Sequence, residues 1–474
     1  MSCAQGAVIF DLAFRIVAQY RPFELVAPRF VQLDQVPDAR VTSLRATSES
    51  PPAPFAAVEL DVTALDAGGV AAGLATADGS HVVAGYDPVR SRATVEVRRD
   101  GRSFVVARRR ARLNAPFRFA FVLCENQVTA LADTGDGWHP LVTSRKAVAH
   151  LVDLREPDAL AEHGFCFGTR RPRGEVGVER VRAGSFGMVG VRDPHLVQHP
   201  DGSPYIKDGK LYLTLTCAGL GAFPQAHWGV FTLDLHDLTR LEQVAQLYAV
   251  RDGLVLGDHA GQVVVDEEAG RFDVVNTAWG DFDGDGVHVR HASTTDNVLS
   301  GVHRLETRRL ALPTPVSAWD PALTCIDDRW YVGFAESPSQ TPFDMHPALA
   351  VGVPGGDYGT ALRKVGADES VHQCEGAVLQ RIEGQWYLLA SDGHLREYRV
   401  YDLSMRLVGR LDAPYVSNIP HPQVVNLPSG EMLLITFDGS PYGERALGYG
   451  THGDLVVMST RSGSAVEQTI AHPI

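Results

Sequence analysis

The sequence predicts an all-β chain of two domains: a β-sandwich of jelly-roll type over residues 1–187, then a five-bladed β-propeller over 188–474. Three observations predict it. A length of 474 residues exceeds what one hydrophobic core usually supports, so one globule is not expected. From residue 55 to 189 the chain runs as short segments of period-two alternation, broken by Gly, Asp and Asn, with no stretch of helical period. The last part repeats itself five times, each time as a turn, an aromatic or aliphatic strand and a small polar turn.

The sandwich segments include AAVELDVTAL (56–65), HVVAGYD (81–87), ATVEVRRDG (93–101), FRFAFVLCENQVTALAD (117–133) and GEVGVERVRAG (174–184). Pro-rich SESPPAP (48–54) reads as a loop between a first strand and the rest. The repeats are KDGKLYLTLTCAG (207–219), EAGRFDVVNTAWG (268–280), DDRWYVGFAES (327–337), EGQWYLLASDG (383–393) and SGEMLLITFDG (429–439). With Leu211, Phe272, Trp330, Trp386 and Met432 taken as equivalent, the units recur every 46–61 residues. Units of that size, which bury their faces only against neighbours, predict propeller blades.

A net charge of −14 argues against nucleic acid or an anionic membrane surface as partner and says nothing positive about substrate, which the carboxylate funnel described below points to as a small molecule or oligosaccharide. In the first twenty residues Asp11, Arg15 and Gln19 interrupt the apolar stretch. That pattern predicts neither a secretory leader nor a membrane span, and so a cytoplasmic location. Cys3, Cys124, Cys166, Cys217, Cys325 and Cys374 are scattered with no CxxC pair, which suits reduced thiols better than disulfides or zinc.

Upstream of each repeat lies a second one, a polar residue opening an apolar strand: RDPHLVQ (192–198), HAGQVVV (259–265), WDPALTCI (319–326), CEGAVLQRI (374–382) and PHPQVVNL (420–427). In a propeller these are the inner strands, and the residues that open them converge at one mouth of the channel. Asp193, Asp320, Glu375 and His421 are expected in one equivalent slot, with Ala260 there in blade two and Asp258 and His259 just before it. Asp-Pro and Glu-Gly also start strands as plain turn residues. Acids in three equivalent slots go further: crowding and burial should raise at least one pKa, as a general acid requires.

Asp193-Pro194 in blade one, Ala260 in blade two, Asp320-Pro321 followed by the Asp327-Asp328 turn in blade three and Glu375-Gly376 in blade four together resemble glycoside hydrolase family 43 and its five-bladed relatives, over residues 185–474. The sandwich is similar in rhythm to concanavalin-like and laminin-G-like domains. The first resemblance implies an inverting hydrolase of arabinofuranosides or xylosides. Asp193 would then be the general base, Glu375 the general acid, and Asp320 the group that tunes and orients the acid. It implies that His421 helps hold a calcium ion or a water cluster; a hydrogen-bonded loop histidine is the other reading. Fructan-active relatives use two Asp and one Glu in a retaining mechanism, with the blade-one Asp as nucleophile. The chain departs from the family pattern with Ala377 after Glu375-Gly376 and with His259 before Ala260.

Arg192, Asp258, His259, Trp279, Trp319 and His421 are the expected substrate contacts, although blade packing explains Trp228, Trp279 and Trp319 as well. SDGHLREYRVYD (391–402) would set His394, Arg396 and Tyr398 on one strand face, DFDGDG (281–286) reads as a solvated turn or a calcium loop, and RRDGRSFVVARRRAR (98–112) as an exposed hairpin face. Two other functions fit the same residues: a non-hydrolytic cyclase, isomerase or lyase, or a catalytically silent glycan binder. A funnel of Trp, Arg and Asp favours hydrolysis; an aliphatic one favours the metabolite enzyme.

Overall fold

The computed structural model describes residues 8–36, 40–171, 174–279, 286–416, 419–427, 429–440 and 453–460. Among them the only helices are two short turns, Pro157–Ala161 and the 3-10 turn Phe223–Gln225; the rest is strand and loop. None is long and apolar enough to cross a membrane.

Five sheets form the blades. Their inner strands are Val191–Leu196, His259–Asp266, Ser317–Ile326, Cys374–Ile382 and Gln423–Asn426. Each pairs antiparallel with the strand of its repeat: Lys210–Cys217, Arg271–Thr277, Arg329–Gln340, Gln385–Asp392 and Met432–Asp438. Side-chain amides tie the inner strands together around the axis. Gln198 Nε2 donates to Leu323 O (2.8 Å), Leu323 N to Gln262 Oε1 (2.7 Å) and Leu196 N to Gln423 Oε1 (3.1 Å). Buried polar groups need partners, and here the blades partner one another.

Two further six-stranded sheets make the sandwich. One runs Trp138–Ser144, Gln127–Asp133, Phe117–Cys124, Phe55–Leu65, Val176–Met188, Glu24–Gln35; the other runs Arg45–Ala46, Gly164–Gly168, Val70–Ala75, His81–Asp87, Arg92–Arg99, Arg102–Arg110. Alternation sorts their side chains into two cores. On Phe55–Leu65, Ala56, Val58, Leu60 and Val62 face the space between the sheets, whereas Phe55 and Ala57 face blade one with Tyr248, Ala226 and Val255. Residues 48–54 form the expected loop, and Arg102–Arg110 is the exposed edge of the basic hairpin.

The expected sandwich boundary of 1–187 needs one correction. Val8–Ala13 pairs parallel with Leu407–Asp412 of blade four, and Arg15–Tyr20 pairs antiparallel with Asp454–Ser459 of blade five. The ring is therefore closed by the chain's first strands, and the sandwich strands from Glu24 to Met188 lie between two propeller segments. Apolar residues on and between these strands, such as Phe10, Phe14 and Ala18, complete blade cores that the later segments leave open. Cys124, Cys166, Cys217, Cys325 and Cys374 are free thiols; Cys3 lies outside the described residues.

Candidate functional site

The geometry of the mouth comes from a β-bulge repeated in four inner strands. Register slips by one residue between Arg192 and His195, His259 and Gln262, Trp319 and Ala322, and Glu375 and Val378. The first extra residue has positive φ in every case: Asp193 (48°), Ala260 (48°), Asp320 (54°) and Gly376 (68°). Only blade four spends a glycine there, although a left-handed conformation costs other residues on the order of 1–2 kcal/mol. Threonines of the preceding blade brace two of the bulges: Ala260 N donates to Thr216 Oγ1 (2.9 Å) and Asp320 N to Thr277 Oγ1 (3.1 Å).

This register corrects the expected slot. Asp193, Ala260 and Asp320 are equivalent, but Glu375 is not; the blade-four residue in that slot is Gly376. Glu375 matches Arg192, His259 and Trp319, one residue earlier. The reason is steric. A Cβ on Gly376 would stand 2.6 Å from His421 Cδ2, so the His421 ring fills the space where a fourth bulge side chain would go. The acids therefore stand in two tiers.

In the deeper tier, His421 Nε2 is 3.3 Å from Asp320 Oδ2 and 3.8 Å from Asp193 Oδ1. Burial holds His421 at about 3, so the ring is neutral and these contacts are not ion pairs. His195, missed in the sequence, lies 6.2 Å from His421 between ring centres and is likewise held at about 3 by burial. Asp320 is raised well above the usual carboxylate range, chiefly by burial and then by the charges of Glu375 and Asp193.

In the outer tier, Trp319 Nε1 donates to Glu375 Oε2 (2.8 Å). Burial still pushes Glu375 up to about 7; Asp193 adds to the rise, while the indole bond and Arg192 oppose it. Arg192 lies over the Phe437 ring at 4.8 Å with its Nε 3.8 Å from Asp193 Oδ1. His259 stacks beneath Trp279 at 5.8 Å, and Trp279 meets Trp319 at 5.3 Å. A cavity of about 330 Å³, lined by Arg192, Gln373, Glu375, Gly393, His394 and Ile419, opens beside the acid.

No protein-family model matches the chain, and no curated protein does. Solved structures similar to it include the GH43_1 enzyme of Xanthomonas citri, at 17% identity and a TM-score of 0.40 over 60% of this chain and 90% of that one. A Penicillium chrysogenum alpha-L-arabinanase complexed with arabinobiose has 10% identity and a TM-score of 0.36, over 89% and 97% of the two chains. A Coprinopsis cinerea GH62 alpha-L-arabinofuranosidase has 10% identity and a TM-score of 0.37, over 57% and 91%. At these levels the likeness lends the site no support; the five blades rest on strand pairing in this chain.

The mouth thus gathers Arg192, Asp193, His259, Trp319, Asp320, Glu375 and His421. Asp258 is set apart from them: fully buried, its carboxylate accepts from Arg251 Nη1 and from Asn276 Nδ2 (3.0 Å). The expected face of His394, Arg396 and Tyr398 does not form, because the strand begins only at Glu397. His394 borders the cavity, Arg396 covers Tyr415 at 5.4 Å, and Tyr398 is buried in the core of blades four and five. Trp228 is a core residue of blades one and two. Of DFDGDG, only Gly286 lies within the described residues. Phe223, stacked on Trp279 at 4.7 Å, was also missed; its signal was a bulky aromatic in the otherwise small GLGAFP loop.

Proposed function

We propose that the protein is an acid–base glycoside hydrolase of the inverting type, acting on arabinofuranosides, xylosides or similar sugars. The observation that carries this reading is the pairing of unlike carboxyls at one mouth: Glu375, pushed up to about 7, beside Asp320 and Asp193. Glu375 would protonate the departing glycosidic oxygen, held in place by the Trp319 indole. Asp193 would draw the proton from the attacking water, and Asp320, its carboxyl raised well above the usual range by burial and by the neighbouring acids, would tune and orient Glu375. Arg192, Gln373, Glu375 and His394 give the cavity a charged and polar lining that suits a sugar better than an aliphatic metabolite. The propeller is the catalytic domain in this reading.

A cation in the channel also finds support. Ligand atoms of Asp320, Glu375 and His421 lie within 4.8 Å of one another, and both His421 nitrogens and Asp320 Oδ2 are buried without hydrogen-bond partners. Asp320 would ligate calcium through its carboxylate and His421 would orient a bound water, with further water completing the shell and Glu375 left as the acid. The ion would supply positive charge that stiffens the channel.

The test is a panel of aryl furanosides and pyranosides with wild type and Glu375→Gln in parallel, the product anomer being read by NMR. Turnover by wild type alone with inverted product supports the reading. Retained product moves Asp193 to the role of nucleophile, and binding without turnover by either protein makes it a glycan binder.

A further inference from the structure

The loop over residues 219–226, between the second and third strands of blade one, touches the sandwich on one side and the mouth on the other. On the sandwich side, Gln127 Nε2 donates to Leu220 O, and Leu220 and Ala226 share a core with Phe55, Cys124 and Leu131. Glycines allow this closeness. A Cβ on Gly221 would stand 2.7 Å from Gln127 Nε2, and one on Gly257 would stand 1.9 Å from Ala226 O and 2.6 Å from Phe55 Cζ. The same hairpin carries buried Glu125, whose Oε1 accepts from Gly257 N (3.3 Å).

On the mouth side, Phe223 stacks on Trp279 at 4.7 Å and 28°, and meets Phe343 edge-on at 6.3 Å. Trp279 leads to Trp319, which bonds Glu375, so an unbroken run of contacts joins the sandwich hairpin to the acid. The aromatic run therefore ends on the carboxyl proposed as the acid.

We propose that the sandwich hairpin Cys124–Gln127 clamps the 219–226 loop and thereby sets Phe223 as an apolar wall that selects planar, aryl-faced leaving groups. Gln127 is a positioning residue; Phe223 is the one that touches the leaving group. The selectivity half rests on the hydrolase reading, and the clamp does not.

The test compares Gln127→Ala, Phe223→Ala and Phe223→Tyr with wild type. One readout is amide hydrogen exchange over 219–226; the other is KM and kcat for the 4-nitrophenyl and methyl glycosides of whichever sugar wild type cleaves. Loss of the clamp should speed exchange in that loop by about tenfold or more in Gln127→Ala, with Asp454–Ser459 unchanged. Phe223→Ala should raise the ratio of the 4-nitrophenyl KM to the methyl KM about tenfold, with the kcat ratio steady, and Phe223→Tyr should restore it. Gln127→Ala should move the same ratio severalfold in the same direction. Unchanged exchange overturns the clamp, and a parallel rise of both KM values overturns the selectivity. If wild type cleaves no glycoside, the hydrolase reading and the selectivity fall together, and exchange alone decides the clamp.

Discussion

Two strands, Phe55–Leu65 in the sandwich and Ser317–Ile326 in blade three, put burial to opposite uses. The first divides its buried side chains, all of them apolar, between two cores. The second carries Asp320 into the axis of the propeller at 4% exposure, on a left-handed backbone, against a neutral histidine. Apolar burial of the first kind stabilises, whereas carboxyl burial of the second kind costs free energy and is the expected mark of a working site. The same fold thus holds one region tuned for cohesion and another tuned for proton affinity.

The largest effect that would break this contrast lies at the axis. Glu375→Gln should lower kcat about a thousandfold with the melting temperature nearly kept, the range expected for losing a general acid; a variant that stays active removes Glu375 from the chemistry. Next comes the apolar side. Phe55 packs on Tyr248 at 5.5 Å and on His227 at 5.0 Å, so Phe55→Ala should cost about 3–5 kcal/mol in denaturant unfolding without moving the pH profile.

A subtler effect sharpens the comparison. Glu375 must keep its proton to act as an acid, so kcat/KM should be full below its value of about 7 and fall as pH rises through it. A profile flat to pH 9 would separate the raised acid from the rate. The smallest effect is at Ala260, whose φ of 48° is strained for any side chain with a Cβ. Ala260→Gly should stabilise by about 1 kcal/mol in thermal melts, and a loss instead would show that the methyl is packed, not merely tolerated.

Much of this was legible in the sequence, for reasons that can be named. Blade strands announce themselves because turn, aromatic and polar residues recur in the same order every 46–61 residues, and Asp193 and Asp320 share an Asp-Pro signature. Glu375 was placed at the right mouth but one position off, since alignment by acid type ignores backbone conformation. The clue was Gly376: the residue free to take positive φ, not the acid, marks the equivalent slot. Asp258 reads as a ligand in sequence because its partner Arg251 belongs to another strand. Phe10 and Phe14 could not be assigned to blade cores at all, because ring closure leaves no periodic trace in the segment that performs it.

That closure has a consequence for assembly. Gln19 meets Asp438 across 419 positions of sequence. On a ribosome, Arg15–Tyr20 must therefore wait unpaired until Asp454–Ser459 has emerged. Contacts that distant are slow to form, so the ring should be the last structure to knit, after the intervening sandwich has already folded. Shortening the leading segment would then leave blade five with a raw edge, the kind of surface that recruits a neighbouring chain.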